Sequence, residues 1–527
     1  MTTGPMTATL TELLARPFGT VPDMIAHAAR RRPGHLALIM DDRRVSFQDL
    51  DDMADHVAAS LQRDGLAPGD AVAICAGTSI RYVALFIGAL RAGGLVTPLP
   101  PSASAGNLSA MLENSEARWL FLDHASAQTW ANGDPRAQTL RRISLDESDS
   151  ALPWSDWLDT GARPTPVNTQ PDWPFNLIYS SGTTGMPKGI VQPCAMRWSH
   201  TQRAQLNGYG PDSVLLVSTP LYSNTTLVAF LPALALGATV VMMGKFDTLR
   251  YLELAQRHRA THTILVPVQY QRLMDDPAFD RFDLSSFQAK FSTSAPFGAA
   301  LMAEVQRRWP GKLTEIYGMT EGGGRCELEA HRYPDKLHTV GRPASGHDIR
   351  LIDEHGNEVA PGETGEIVGS STAMMRGYHR LPEKTREVEW FDATGKRFIR
   401  TGDVGRFDED GFLILSDRMK DMVISGGFNI YPSDIEAELA AHPDVRESAV
   451  VGVASRRWGE TPAAFVVLRP GAACTADSLL AWVNGRLGKM QRVATLDLVE
   501  ALPRSEIGKV LKRELRELHG QRRDSLA

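Results

Sequence analysis

Residues 178–190 read IYSSGTTGMPKGI, with three glycines, two serines and two threonines gathered around one lysine. Glycine lets backbone amides approach an anion and converge on it, and small hydroxyls add donors, so the segment reads as a cradle for phosphate oxygens. It is not the nucleoside-triphosphate loop GxxxxGK[ST]. Gly182 and Gly185 stand too close together, Lys188 does not follow a glycine, and Gly189 occupies the place of the magnesium-binding hydroxyl. Two further clusters, STSAP (292–296) and EIYGMTEGGG (315–324), place small or hydroxylated residues directly after apolar runs, where ligands collect in open α/β sheets. Glu321 offers the hard oxygen that magnesium shares with substrate phosphate; a lone glutamate at a strand end is more often structural. Asp403, between the glycines of RTGDVGRFDEDGFL (400–413), either accepts two hydrogen bonds from ribose hydroxyls or closes an Asx turn. Lys509, after the Ile507-Gly508 turn of LPRSEIGKVLKREL (502–515), reads as the head of a basic helix, where a lysine without a ligand is simply solvated.

The elements that must hold these residues follow from periodicity. FNLIY (175–179) has the composition of a buried strand and GIVQP (189–193) of a second extended segment, so no helix receives the phosphate behind this loop. From about residue 20 to 400, strand-like runs (DAVAIC, LVTPL, RWLFLD, SVLLVS, ATVVMM, HTILVPV, AKFSTS) alternate with helical patterns. That texture predicts an α/β domain of largely parallel sheets. After residue 340 shorter strands and turns predict a β-rich antiparallel section, and beyond DRMKD (417–421) a smaller α+β domain carries the strands SAVVGV and AAFVVL. Its first helix is expected to open on a capping box of Ser433 and Glu436, with Ile435 and Leu439 on one face. The expected division is 1–417 and 418–527.

The whole chain limits the ligands. With 527 residues, 43% apolar content and a formal charge of −6, it is a globular protein without the basic face that sequence-independent nucleic-acid binding requires. Cysteines 75, 194, 326 and 474 show no CxxC spacing, which predicts neither a zinc site nor a disulfide framework, and fits a reducing cytosol. The N-terminal residues lack the basic and apolar regions of a secretory signal. Residues 213–244 contain no charge over 32 positions, long enough to span a bilayer, but Pro220, Pro232, Gly237 and a Ser-Asn-Thr-Thr cluster divide them into strand, loop, helix and strand. A buried core element is expected there. The basic segment 512–524 is read as a solvated terminal helix rather than a membrane contact.

In order and spacing these segments resemble the signature motifs of the adenylate-forming (ANL) superfamily, in its acyl-CoA synthetase branch of fatty-acid and 4-coumarate CoA ligases. The likeness runs from about residue 20 to 515. It implies a large N-terminal domain of stacked mixed sheets and helices with a β-rich subdomain, followed by a small mobile α+β domain. It also implies a two-step reaction with ATP, Mg2+ and CoA: a small carboxylic acid forms an acyl-adenylate, then a thioester. Carried over by position, Ser180, Ser181, Gly182, Thr183, Thr184, Gly185 and Lys188 would hold the β- and γ-phosphates, with Thr183 and Glu321 at the metal. Ser294, Ala295 and Pro296 stand where Gly-Ala-Pro is frequent and would line the adenine and acyl pockets. Tyr317 would stack on adenine beside Gly318 and Met319, Thr320 would touch the α-phosphate, and Asp403 and Arg418 would hold the ribose. Lys509 would bridge the attacking carboxylate and the α-phosphate. A hinge at Lys420 would then replace it with Ser425, Gly426, Gly427 and Phe428 at the pantetheine tunnel, and Arg456 and Arg457 could meet the 3′-phosphate of CoA.

For the acyl pocket the resemblance points to Tyr222, Ser223, Asn224, Thr225 and Tyr270, a neutral set with polar donors in which Ser223 replaces a frequent histidine. No acidic residue lies between Ser213 and Phe246, so a substrate ammonium would be unpaired, and a fatty or aromatic acid is expected rather than an amino acid. A stand-alone enzyme that loads a carrier protein's pantetheine, and a silent binding protein on the same fold, remain open beside the CoA ligase. A homodimer is a further open option.

Overall fold

A computed structural model describes residues 9–130, 140–148, 151–180, 187–418, 421–425, 428–455, 459–488, 491–505 and 508–524. The chain forms two compact units: 1–337 with 344–348 and 369–399, and 338–343 with 349–368 and 400–527.

The first unit contains two sheets. One has six parallel strands in the spatial order Leu36–Met40, Thr239–Met242, Val214–Val217, His262–Leu265, Ala289–Thr293 and Lys312–Tyr317, flanked by the antiparallel Arg43–Ser46 and Cys326–Glu329. The other runs Gly377–Tyr378, Lys188–Pro193, Pro174–Ser180, Leu95–Pro98, Ala71–Cys75, Trp119–Leu122, Arg141–Ser144, Leu152–Pro153. Its first two pairings are antiparallel and the described registers of the rest are parallel. The expected FNLIY and GIVQP segments form that antiparallel hairpin, with Ser180 opposite Lys188 and Asn176 opposite Gln192.

Apolar residues of both sheets and of the helices Val21–Arg31, Phe47–Arg63, Ile80–Arg91 and Asn224–Ala235 share one core. Helix Ile80–Arg91 is apolar nearly all round and is buried from Ile80 to Leu90 apart from Arg81. Gly88 lets it approach helix Phe47–Arg63 so closely that a Cβ there would lie 2.5 Å from the Val57 Cβ. The uncharged stretch becomes a strand, a helix from Asn224 to Ala235 and a strand, most of it buried, as periodicity and breakers predict. Among the described residues no helix is long and apolar enough to cross a membrane.

The second unit contains strands Val423–Ser425, Phe428–Ile430, Val445–Ser455, Gly459–Leu468 and Thr495–Leu498 in one sheet. Ile435, Leu439, Leu479 and Val483 pack one apolar cluster; Val451, Phe465, Leu502 and Leu515 pack another. Two local expectations are corrected here. Helix Pro432–Ala440 opens with Tyr431 at its N-cap and makes no side-chain cap, because proline takes the first helical position and draws Ser433 inside. Glu436 is occupied elsewhere, its Oε1 accepting from the Val450 amide at 2.7 Å. The terminal helix begins at Lys512, so Lys509 precedes it rather than heading it.

Candidate active site

Strands Ala289–Thr293 and Lys312–Tyr317 lie side by side and parallel, with Thr293 opposite Ile316. Their following loops, Ser294–Pro296 and Gly318–Glu321, therefore leave the same edge of the sheet as neighbours, and Thr293 Oγ1 donates to the Ile316 carbonyl at 2.8 Å. A crevice at the carboxyl ends of parallel strands is where backbone groups remain unpaired and available to a ligand. Tyr317, Met319, Thr320 and Glu321 are half-buried there and Gly318 is exposed.

The Glu321 loop is fixed by close contact. Gly322 has φ +80°, and a Cβ on it would stand 2.0 Å from the Ala373 carbonyl oxygen, so only glycine fits. The Glu321 carbonyl accepts from the Met375 amide at 2.7 Å, and its Oε1 accepts from the Tyr378 hydroxyl at 2.9 Å. Lys188 Nζ lies 5.2 Å from the centre of the same Tyr378 ring. Burial, with the Glu321 carboxylate beside it, pushes the Tyr378 phenol well up, which keeps it a donor. Tyr378 thus ties the cation of the phosphate loop to the candidate metal ligand, a link sequence reasoning missed because the residues are 57 positions apart. The Glu321 carboxylate fits magnesium by chemistry: it is a hard oxygen donor, and its Oε2 makes no hydrogen bond to a described residue.

Ser294 adopts φ +80°, the left-handed region that costs a residue with a Cβ about 1–2 kcal/mol. Its Oγ lies 2.6 Å from the Thr225 Oγ1, which joins this loop to the first turn of helix Asn224–Ala235. Ser223 caps that helix, and Tyr222 is half-buried. Tyr270 is fully buried, its hydroxyl donating to the Phe291 carbonyl at 2.9 Å and its ring stacked on Phe297 at 5.1 Å, so its surface is taken up in packing.

Asn224 differs from the neutral pocket expected. Its Oδ1 accepts from Arg197 Nη2 at 2.8 Å and from Gln192 Nε2 at 3.3 Å, and Gln192 also donates to the Thr320 carbonyl at 2.7 Å. A buried arginine therefore stands behind the polar wall. The one signal for it is an arginine in the helical segment Cys194–Ala204 among residues that bury.

In the second unit, Asp403 and Arg418 are opposed on antiparallel strands, and the Asp403 amide donates to Thr401 Oγ1 at 3.0 Å. Lys509 is exposed in a tight turn: Ser505 N donates to the Lys509 carbonyl at 2.8 Å, and Lys509 N donates to Ser505 Oγ at 3.2 Å. Ser425 is buried and lies opposite Phe428. Ser181, Gly182, Thr183, Thr184, Gly185, Lys420, Gly426, Gly427, Arg456 and Arg457, with the side chains of Ser180, Arg418 and Phe428, lie outside the described residues.

The model of the AMP-binding enzyme family matches residues 25–379, and that of the AMP-binding enzyme C-terminal domain matches 434–509. The chain is an adenylate-forming enzyme of the acyl-CoA ligase branch. This adenylate-forming enzyme is 31% identical over 500 residues to the fatty acid–[acyl-carrier-protein] ligase ScoC of Streptomyces coeruleorubidus, covering 93% of its own chain and 94% of that one. It is 33% identical to a feruloyl-CoA synthase of an Amycolatopsis species, over 94% and 97% of the two chains. Among solved structures, ATP-bound MatB from Rhodopseudomonas palustris superposes with a TM-score of 0.83 at 29% identity, over 95% and 99%.

Proposed function

We propose that this adenylate-forming enzyme is an ATP-dependent carboxylic acid–CoA ligase acting on an acid with a fatty or aromatic body. The observation that carries the reading is the fixed Thr320–Glu321 loop, tied through Tyr378 to Lys188 at the crevice between strands Ala289–Thr293 and Lys312–Tyr317. In the first step a carboxylate oxygen attacks the α-phosphorus of ATP and the α–β phosphoanhydride bond breaks, releasing pyrophosphate. In the second a thiol attacks the acyl carbon, loses its proton, and AMP leaves.

No enzyme nucleophile is needed, so rate comes from alignment and from cations placed against developing phosphate charge. Lys188, with Ser180–Gly185, is assigned to the β- and γ-phosphates, Thr320 to the α-phosphate, Tyr317 and Ser294–Pro296 to adenine, and Asp403 with Arg418 to the ribose. Glu321 with Thr183 would hold magnesium, which when bound neutralises phosphate charge. Lys509 supplies the mobile cation of the first step. Its exposure on a turn held by its own backbone suits a group that must be delivered to the reacting atoms and withdrawn. A domain rotation about Lys420 would deliver and withdraw it, and the segment Ser425–Phe428 would then face the incoming thiol.

Coenzyme A is the assigned acceptor; its competitor is a carrier-protein pantetheine. A panel of acids in a pyrophosphate-release assay, followed by product analysis with CoA and with a pantetheinylated carrier protein, tests both parts. Acid-dependent pyrophosphate release with a CoA thioester is expected. Release that is independent of every acid rejects the ligase reading, and thioester on the carrier alone moves the assignment to the competitor.

A further inference from the structure

Arg197 is 2% exposed, yet among the described residues its guanidinium meets no carboxylate. Nε donates to Asn176 Oδ1 at 3.1 Å, while Nη2 donates to Gln192 Oε1 and to Asn224 Oδ1. Neutral amide oxygens solvate a buried cation only in part, and burial brings this guanidinium down to about 9, so it is still charged at neutral pH. Nη1 has no hydrogen-bond partner among the described residues. One turn along the helix, His200 lies among Arg197, Arg203, Arg325 and His347, whose charges together with burial hold the imidazole well below its usual range. Its Nδ1 and the Nε of Arg325 are also buried without a described partner. Arg203 and Arg325 share one carboxylate, Glu327, which is paired to Arg325, and Arg197 meets none among the described residues.

The cluster touches the candidate site once: Arg197 reaches the Thr320 carbonyl through Gln192. It is remote from the phosphate loop. Gln192 is four residues along the strand from Lys188, about 13 Å at the rise of an extended chain, whereas Asn224 begins the helix assigned to the acyl pocket.

We infer that the acid activated here carries a second carboxylate, and that Arg197 receives it at the acyl end of the site with His200 and Arg325 beside it. This rests on the acid-activating reading. A carboxylate supplies the planar pair of acceptors that a guanidinium fork lacks in this network, and it balances charge that no side chain in the cluster balances.

The test is ATP–pyrophosphate exchange by the full-length enzyme with succinate, adipate, terephthalate and homophthalate, each beside its monomethyl ester. At least one diacid should exceed its ester by a hundredfold or more in kcat/KM. Arg197→Met should abolish that preference through KM, and Arg197→Lys should restore part of it. Esters and simple monoacids used as well as diacids by the wild type overturn the inference and leave the ligase intact; exchange with no acid overturns the ligase reading itself. Should Arg197→Met fail to fold, thermal shifts of the wild type decide. Stabilisation by a diacid and not its ester upholds the inference, and equal shifts reject it. Arg325→Gln should weaken the diacid effect in the same assay.

Discussion

Glu321 and Lys509 carry opposite charges and are held in opposite ways. The Glu321 loop is locked by a glycine that admits no side chain, by a backbone bond to Met375 and by the Tyr378 hydroxyl. Lys509 is exposed in a turn closed by bonds between near neighbours in the chain, from Lys509 and Gly508 to Ser505 and from Arg504 to the Gly508 carbonyl. The metal and phosphate roles proposed for the Glu321 loop would gain from such preorganisation, since any reorganisation adds to the barrier. A cation needed for one half-reaction gains from standing on a light, solvent-facing support.

Four experiments break or sharpen that contrast. Lys509→Ala should slow acid-dependent adenylation a hundred- to a thousandfold, about 3–4 kcal/mol of barrier, with an unchanged melting temperature and unimpaired thioester formation from supplied acyl-adenylate. Equal loss in both half-reactions would end the division of labour.

Gly322→Ala should do the reverse and strike the fold of the first unit. The clash with the Ala373 carbonyl and the positive φ should cost about 3 kcal/mol of stability, read as a lower denaturation midpoint. A midpoint unchanged from wild type would show that the loop is not locked.

Glu315 lies on the strand that carries this loop, and burial pushes its carboxyl up to about 8 from an ordinary 4.5. Because the folded value is the higher one, the stability this carboxyl contributes is full below pH 4.5 and is lost as pH rises through 8. Relative to Glu315→Gln, the wild type should therefore lose about 2 kcal/mol between pH 5 and pH 6.5. Melting curves with parallel pH dependence would contradict this.

Tyr378→Phe removes the hydrogen bond to Glu321 and should cost about 1.5 kcal/mol, roughly tenfold in adenylation rate, with a raised magnesium requirement and no effect on the second half-reaction. An unchanged magnesium titration would detach Tyr378 from the metal role proposed for Glu321.

Much of the scaffold was legible in the sequence. The seven strand runs, the hairpin around the phosphate loop and the burial of the uncharged stretch follow from apolar periodicity and from proline and glycine breakers, which act over a few residues. The Ser433 cap failed because the neighbouring Pro432 set the helix start two positions earlier. Lys509 fell outside its expected helix because the Ser505–Lys509 turn closes on itself before the helix begins at Lys512. Tyr270 offered an aromatic ring to the acyl pocket by position, but its hydroxyl and both neighbouring rings are engaged in the core.

The order of short motifs determined by itself that this chain handles an adenylate, because strand, turn and phosphate cradle are encoded by neighbours in the chain. Tertiary structure alone decided that Tyr378 would hold Glu321, that Ser294 would meet Thr225, and that Arg197 would be buried without a carboxylate. Those contacts join residues 57, 69 and up to 27 positions apart. An arginine in a helical pattern reads equally as a solvated stem until packing removes the water around it.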